Sequence, residues 1–265
     1  SEHVARIDFL GTGNAFSPHG RMHALALIDN RILIDSPPTV VTQLRRSEIS
    51  PGQLQHILFT HWHGDHAFGF PFLLLDRKYL SNPMGEEKLE LHLRPGGKEY
   101  LSTLCKMGFP GSLDDSLEEQ VNWNESEKSA IGRTGWKYDR FPVHHTPETD
   151  PHGYELEHES GFRILHCGDS GPCPEIERRA ERVDVVILEM GMPDIGDFPH
   201  HHRPSDVVSF NKRFPEVKVL VTHNYARSPN SESGFEIPEL PIDVIQLNDG
   251  DSIEIDNTGN FTVNN

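Results

Sequence analysis

A run of potential metal ligands directly after an apolar strand, at residues 57–66, constrains this chain more than any other feature. The run reads Ile-Leu-Phe-Thr-His-Trp-His-Gly-Asp-His, so three apolar residues precede four ligand side chains within six positions. His61 and His63 are separated by one residue, and an extended backbone therefore directs both imidazoles to the same side. Imidazole nitrogen and carboxylate oxygen are ligands of zinc and similar divalent ions. The run predicts a metal site, with Asp65 and His66 facing a second point close by.

Composition limits the classes of partner that the chain can bind. Its 24 Lys and Arg stand against 41 Asp and Glu, which gives a net charge of −17 at pH 7. Because nucleic-acid affinity depends on Lys and Arg that neutralise phosphates, the charge disfavours nucleic acid and favours a small-molecule substrate. Three cysteines, an odd number, indicate reduced thiols, and neither a secretion signal nor an apolar run of membrane-spanning length is visible. We expect a cytoplasmic enzyme without a membrane segment, and a homo-oligomer is compatible with these features.

Hydrophobic periodicity predicts strands and helices in alternation along the chain. Apolar runs and alternation predict strands at residues 4–10, 24–28, 31–35, 89–93, 153–157, 162–167, 183–189 and 217–223. Helical spacing predicts helices at residues 39–46, 69–75, 98–106 and 174–182, and from Pro204 onward. Alternating segments at 243–247 and 252–255 are predicted to close a second sheet. Residues 110–136 have no clear period, which is typical of a loop or of an addition at a sheet edge.

The signature H-x-H-x-D-H at residues 61–66, with the apolar strand before it, resembles the metallo-β-lactamase superfamily. Downstream motifs follow in the order found in that superfamily: a strand ending in His, a Gly-Tyr strand at 153–157, and a Gly-Asp-Ser-Gly turn at 168–171. The resemblance covers nearly the whole chain. It implies one domain over residues 1–265 with the α/β fold of the superfamily, a four-layer αββα sandwich in which helices cover two facing sheets.

The resemblance also implies two divalent metal ions, with Zn²⁺ favoured and Mn²⁺ or Fe as alternatives. The first ion would be held by His61, His63, His145 and Asp169, and the second by Asp65, His66, Asp169 and His223. Asp169 would bridge the ions, because a carboxylate offered from a turn has two oxygens for two cations. Family members place the third histidine ligand just before Ser or Thr, which favours His145, and His144 stays the alternative.

A triplet of histidines, residues 200–202, precedes the helix that Pro204 can open. In the phosphodiesterase-like branch of the superfamily, a histidine two residues before the helix N-cap acts on the leaving group. With Arg203 as the N-cap that residue is His201, and His202 is the alternative. The resemblance assigns catalytic roles to one of these histidines and to Asp65. Histidines of a solvent-facing loop are the simpler interpretation of the triplet.

The resemblance favours a metal-dependent hydrolase in which a metal-bridging hydroxide attacks a small phosphodiester. Residues 35–38, Asp-Ser-Pro-Pro, look more like the D-x-S-P of relatives that cleave small cyclic phosphodiesters than the D-x-G of tRNA 3′-processing endonuclease. No long insertion resembles the tRNA-clamping arm of that nuclease. The alternatives are that endonuclease activity itself, or hydrolysis of a lactone, thioester, sulfate ester or β-lactam on the same scaffold.

Three other interpretations compete with hydrolysis. A redox di-iron protein would resemble H-x-E-x-D-H, and His63 stands where those members carry Glu. A metal-binding module without catalysis would use the same ligands, although the complete ligand set favours an enzyme. With 17 histidines in the chain, residues 61–66 could also be a histidine-rich surface loop, but four ligands directly behind an apolar strand favour a metal site.

Overall fold

Two mixed β-sheets face each other in the computed structural model, which describes residues 2–265. The first sheet has eight strands in the order β15-β14-β1-β2-β3-β4-β5-β6. Its strands are β1 (His3–Gly11), β2 (Leu25–Ile28), β3 (Ile32–Ile34), β4 (His56–Leu58), β5 (Leu89–His92), β6 (Val121–Asn124), β14 (Ser252–Asp256) and β15 (Phe261–Asn264). The second sheet has seven strands in the order β13-β12-β11-β10-β9-β8-β7. Its strands are β7 (Lys128–Ala130), β8 (Trp136–Pro142), β9 (His152–His158), β10 (Arg163–His166), β11 (Val185–Glu189), β12 (Lys218–Thr222) and β13 (Ile245–Gln246).

Helices cover the outer faces of both sheets. They are α1 (Val40–Arg46), α2 (Gly64–Ala67), α3 (Phe70–Asp76), α4 (Gly97–Gly108), α5 (Asp114–Glu119), α6 (Pro174–Ala180) and α7 (Pro204–Arg213). Short turns of 3₁₀ helix lie at Pro51–Gln53 and Pro147–Thr149, and a π-helical turn at Arg77–Ser81 continues α3. Within residues 2–265, every helix is too short or too polar to cross a lipid bilayer.

Three apolar layers follow from the alternation of side chains along each strand. Inward-facing residues such as Leu58 and Ile187 form a core between the two sheets. Ile57, one position before Leu58, faces the opposite way and packs with α1, α3 and α4. Val186 likewise faces α6 and α7 in the third layer. Helix, sheet, sheet and helix therefore stack as the four-layer αββα sandwich that the sequence predicts.

Most of the predicted strands and helices are confirmed, including the hairpin that joins β2 to β3. Residues 29–31 join β2 to β3, where Ile28 is paired with Ile32, and Asp29 and Asn30 have φ of 51° and 58°, left-handed values that Asp and Asn adopt more readily than most residues. Residues 110–136 are not a plain loop, because they contain α5 and the edge strands β6 and β7, one in each sheet.

The predicted position of the last strands is partly wrong. Residues 252–255 do not close the second sheet: β14 pairs antiparallel with β1 in the first sheet, with Ile7 opposite Ile253. The short strand β13 does lie in the second sheet, beside β12. An alternating apolar pattern shows that one face of a strand is buried, and it carries no information about which sheet the strand joins.

Candidate metal centre

The first histidines of the centre are positioned by a buried carboxylate, Asp35, which follows β3. Asp35 accepts hydrogen bonds from the backbone N–H and the hydroxyl of Thr60, each at 2.7 Å, and so fixes the segment that carries His61. Its φ of 71° lies in the left-handed region, which is uncommon for a residue other than glycine and is frequent at functional sites. The sequence offered no signal for this role, because it depends on contacts across 25 residues.

The same carboxylate also orients His66, which lies on the short helix α2. The Nδ1 atom of His66 is 2.8 Å from Asp35 Oδ2, so the Nε2 atom of the ring faces the other ligands. Helix α2 begins at Gly64, directly after the extended backbone of His63, so the chain changes direction just before Asp65 and His66. The Oδ2 atom of Asp65 lies 3.1 Å from His66 Nε2 and 3.2 Å from His223 Nε2.

Asp169 lies at the middle of the centre, in the turn that follows β10. One oxygen, Oδ2, is within 4 Å of the Nε2 atoms of four histidines. The distances are 3.1 Å to His223, 3.2 Å to His66, 3.4 Å to His61 and 3.8 Å to His145. Asp169 is buried. Strand ends of both sheets therefore bring ligands to the same carboxylate.

The structure brings His145, and not His144, to the centre. The Nε2 atom of His145 is 3.2 Å from His63 Nδ1, and its Nδ1 atom donates a hydrogen bond to the carbonyl of His200 at 2.8 Å. That bond leaves Nε2 with its lone pair directed toward the other ligands. His144 is exposed to solvent. His223, at the end of β12, adopts a φ of 49° and thereby turns its ring toward Asp65.

The predicted ligands form two groups that share Asp169, and in each group the ligand atoms lie within 4.8 Å of one another. The groups are His61, His63, His145 and Asp169, and Asp65, His66, Asp169 and His223. The Nε2 atoms of His61 and His66 have no hydrogen-bond partner among residues 2–265, although both are buried. Buried nitrogen atoms without partners are costly, and a cation among them would satisfy them.

Protonation differs among the ligands of the centre. At His66 and His223 burial would lower the pKa, but the carboxylates of Asp169 and Asp65 outweigh it and raise the pKa, so a metal ion would displace a proton from these two rings. Burial lowers the pKa of His145 to about 3 and also lowers the pKa of His63, so both imidazoles are neutral near pH 7. Burial alone would raise the pKa of Asp169, but the surrounding histidines hold the pKa of this carboxyl well below its usual range. Neutral imidazole and carboxylate are the forms that bind zinc. The donor set therefore fits two divalent ions.

His201 adjoins the ligands and pairs with a second buried carboxylate, Glu189. Its Nδ1 atom is 2.7 Å from Glu189 Oε1, and its ring lies 5.0 Å from that of His145. Burial lowers the pKa of His201, but the Glu189 carboxylate outweighs this effect and raises the pKa to about 9. Glu189 also accepts hydrogen bonds from the backbone N–H groups of Ser170 and Gly191, at 3.1 Å and 2.6 Å. An acidic residue at the end of an apolar strand was the only signal for Glu189 in the sequence.

The neighbouring His202 belongs to neither of the two ligand groups. Its Nδ1 atom donates to the carbonyl of Ser170 at 2.6 Å, and the side chain is buried. Helix α7 begins at Pro204 with Arg203 as its N-cap, as the sequence predicts. The histidine two positions before the N-cap is therefore the one that reaches the ligand groups.

The loop at residues 191–203 carries His201 and is held by hydrogen bonds near both ends. Asp194 accepts hydrogen bonds from the backbone N–H and the hydroxyl of Ser205, and Arg203 donates to the carbonyl of Gly196 at 2.9 Å. Between these attachments, Ile195 and Phe198 expose 58% and 40% of their surface, so apolar side chains face solvent next to the centre.

Comparison with known proteins gives a consistent result. The family model described as "Beta-lactamase superfamily domain" matches residues 30–224. Ribonuclease Z of Pyrobaculum islandicum is 26% identical over 267 residues, which cover 86% of this chain and 90% of that protein. Ribonuclease Z of Listeria monocytogenes is 32% identical over 183 residues, which cover 67% of this chain and 54% of that protein.

Two solved structures share the fold. A diphosphatase from the PhnP family has a TM-score of 0.69 and 22% identity, with 95% of this chain and 98% of that chain covered. The short form of human tRNase Z has a TM-score of 0.66 and 20% identity, with 94% and 98% covered. At these identities the likeness concerns the arrangement of strands and helices.

Proposed function

Because the chain belongs to the β-lactamase superfamily and is a metal-dependent hydrolase, we propose that it hydrolyses small phosphodiesters at a centre of two divalent ions. The observation that carries the proposal is the sharing of Asp169 by two groups of ligand atoms. His61, His63 and His145 would hold one ion with Asp169, and Asp65, His66 and His223 would hold the other. Since both sheets supply ligands, we propose that residues 1–265 act as one catalytic domain.

The nitrogen and oxygen donors suit Zn²⁺, which would be the resident ion. Two bound ions would lower the pKa of a water molecule, so that it attacks near neutral pH as hydroxide, and would neutralise charge on the phosphate. Asp65, whose Oδ2 atom lies 3.2 Å from His223 Nε2 and 3.1 Å from His66 Nε2, would have a second role besides holding an ion. It would accept a hydrogen bond from the attacking water and orient it.

His201 would donate a proton to the oxygen atom of the leaving group. Glu189 favours the protonated imidazole and fixes the ring, so the Nε2 proton is available on the side of the ligand groups. Since Glu189 also binds the backbone of Ser170, directly after Asp169, the position of the proton donor is linked to that of the shared carboxylate.

Replacing His201 with alanine should lower kcat about 10²- to 10⁴-fold, the range for loss of a general acid, and leave the metal content unchanged. Steady-state kinetics together with elemental analysis would check this. His144→Ala is the matched control, because His144 is a nearby exposed histidine that the structure places outside the ligand groups. Loss of metal in His201→Ala would instead make His201 a ligand, and an effect confined to His202→Ala would contradict the assignment.

The net charge of −17 supports a small substrate, because a polyanion would be repelled by such a surface. The second candidate function is processing of tRNA 3′ ends, which is favoured by the relatives named ribonuclease Z. Hydrolysis of acyl substrates on the same fold is a further alternative.

One experiment separates these functions. Zinc- or manganese-loaded protein is incubated in parallel with bis(p-nitrophenyl) phosphate, cyclic and linear dinucleotides, a precursor tRNA, and a panel of lactones, thioesters, sulfate esters and β-lactams. We expect turnover of the small phosphodiesters that changes little with salt. Precursor-tRNA cleavage that falls steeply with salt would favour the second candidate, since phosphate contacts are salt-dependent. Turnover of acyl substrates alone would overturn the proposal.

A further inference from the structure

A second cluster of ligand side chains lies between the sheets, away from the centre around Asp169. His56 is on β4, and Glu90 and His92 are on the neighbouring parallel strand β5, where His56 is in register with Glu90. Residues 90 and 92 point to the same face because side chains alternate along a strand. Both histidines are buried, and the Glu90 side chain is 30% exposed.

The three ligand atoms form a nearly equilateral triangle. His56 Nδ1 is 3.1 Å from His92 Nε2 and 3.3 Å from Glu90 Oε1, and His92 Nε2 is 3.1 Å from Glu90 Oε1. We propose that His56, Glu90 and His92 form a further binding site for a divalent transition-metal ion such as Zn²⁺.

Hydrogen bonds alone do not account for the triangle. A ring nitrogen directs either a proton or a lone pair toward its neighbours, and never both. The Glu90 carboxyl is ionised near neutral pH and therefore only accepts hydrogen bonds. If only one of the two nitrogens, His56 Nδ1 or His92 Nε2, carries a proton, the lone pair of the other faces a lone pair of the carboxylate. If both nitrogens carry a proton, the two protons face each other. At least one of the three close pairs is therefore unfavourable, whereas a cation would bind all three lone pairs at once.

The spacing matches a tetrahedral metal site. With zinc bonds of about 2.0–2.1 Å, two ligand atoms of a tetrahedral site are about 3.3 Å apart. The three distances of 3.1–3.3 Å are close to that value. Two histidines and one carboxylate are a ligand set that zinc adopts with water in the fourth position, and the exposed part of Glu90 gives that position access to solvent.

Neighbouring residues prepare the two imidazoles for a metal. Tyr138 of the second sheet lies with its hydroxyl 2.7 Å from His92 Nδ1, and a proton held on Nδ1 leaves the Nε2 lone pair directed into the triangle. Gly132 leaves room beside His56, because a Cβ atom at that position would lie 2.7 Å from His56 Nε2. A bound ion would tie β4 to β5 and, through the contact of His92 with Tyr138, the first sheet to the second.

The test counts zinc. Metal-free protein is reconstituted with Zn²⁺, freed of excess ion and analysed for zinc per chain. Glu90→Gln keeps the shape of the side chain and should bind one zinc fewer than the unaltered protein, while Glu86→Gln, a control at an exposed glutamate near β5, should lose none. Equal zinc content in the Glu90→Gln and unaltered proteins would overturn the proposal.

Two further measurements keep this test independent of the hydrolytic centre and of folding. When His61 and His63 are both replaced by alanine, the protein that also carries Glu90→Gln should still bind one zinc fewer than the protein that retains Glu90. This difference does not depend on what the centre around Asp169 binds. Tyr138→Phe retains all three ligands and should weaken zinc binding at this site about 10- to 100-fold, measured by competition with a chromogenic chelator. Unchanged affinity in Tyr138→Phe, together with visible Co²⁺ bands unaltered by Glu90→Gln, would also overturn the proposal.

Discussion

Replacing Asp169 with asparagine should remove metal from the hydrolytic centre and lower turnover of a phosphodiester by more than about 100-fold. Loss of a residue that only supports a ligand costs about 10- to 100-fold, and Asp169 lies in both ligand groups. Asparagine has nearly the same shape but no negative charge, so the four histidines around Oδ2 would lose the charge that favours cations among them. Elemental analysis and kinetics on the same preparation would measure both effects.

Asp243→Asn is the matched control, because Asp243 is an exposed aspartate near β13. It should keep the metal content and the turnover of the unaltered protein. A melting curve of Asp169→Asn separates loss of the centre from loss of the fold. Full metal content and full turnover in Asp169→Asn would show that this carboxylate is not shared by two ions.

Replacing His61 and His63 together with alanine should empty the hydrolytic centre and reduce turnover to the level of the buffer. The first ion would lose two of its four ligands, and the second would lose the partner that shares Asp169 with it. We expect two metal ions fewer per chain than in the unaltered protein, measured after gel filtration in buffer without added metal. The zinc bound by His56, Glu90 and His92 should remain.

A double variant at exposed histidines, His3→Ala with His19→Ala, controls for the number of histidines removed. It should bind as much metal as the unaltered protein. If the His61 and His63 variant also keeps its metal, then the run at residues 57–66 does not supply the ligands, and the proposed centre is wrong.

The ligand groups could be predicted because the resemblance to the metallo-β-lactamase superfamily assigns their residues, and because the strands that precede the motif at residues 61–66, Asp169 and His223 are visible as apolar runs. The motif at residues 61–66 begins at the end of an apolar strand, and its short spacing alone brings its ligand side chains close together. Asp35 and Glu189 also stand at strand ends, but no local pattern shows which residues they bind, since each acts through residues that the fold brings close. The triangle of His56, Glu90 and His92 depends in the same way on the pairing of two strands.

The terminal strands show the same limit on a larger scale. Alternation in residues 252–255 indicates a strand with one buried face, but its partner is β1, nearly the full chain length away. Pairing across such a distance depends on contacts that the fold makes, and the local pattern carries no information about them. Residues 110–136 are similar, because β6 and β7 are short edge strands with few apolar residues.

The loop at residues 191–203 gives this protein a natural position for diversification. Asp194, His200, His201 and His202 bind the rest of the chain by hydrogen bonds, and Arg203 binds Gly196 within the loop, whereas Ile195 and Phe198 expose their side chains to solvent. Mutations at these two positions alter the rim beside His201 while the attachments, the ligands and Glu189 stay as they are. Selection can therefore vary the apolar rim in small steps while the catalytic groups stay in place, and a library restricted to positions 195 and 198, which leaves Gly196 unchanged, would do the same at the bench.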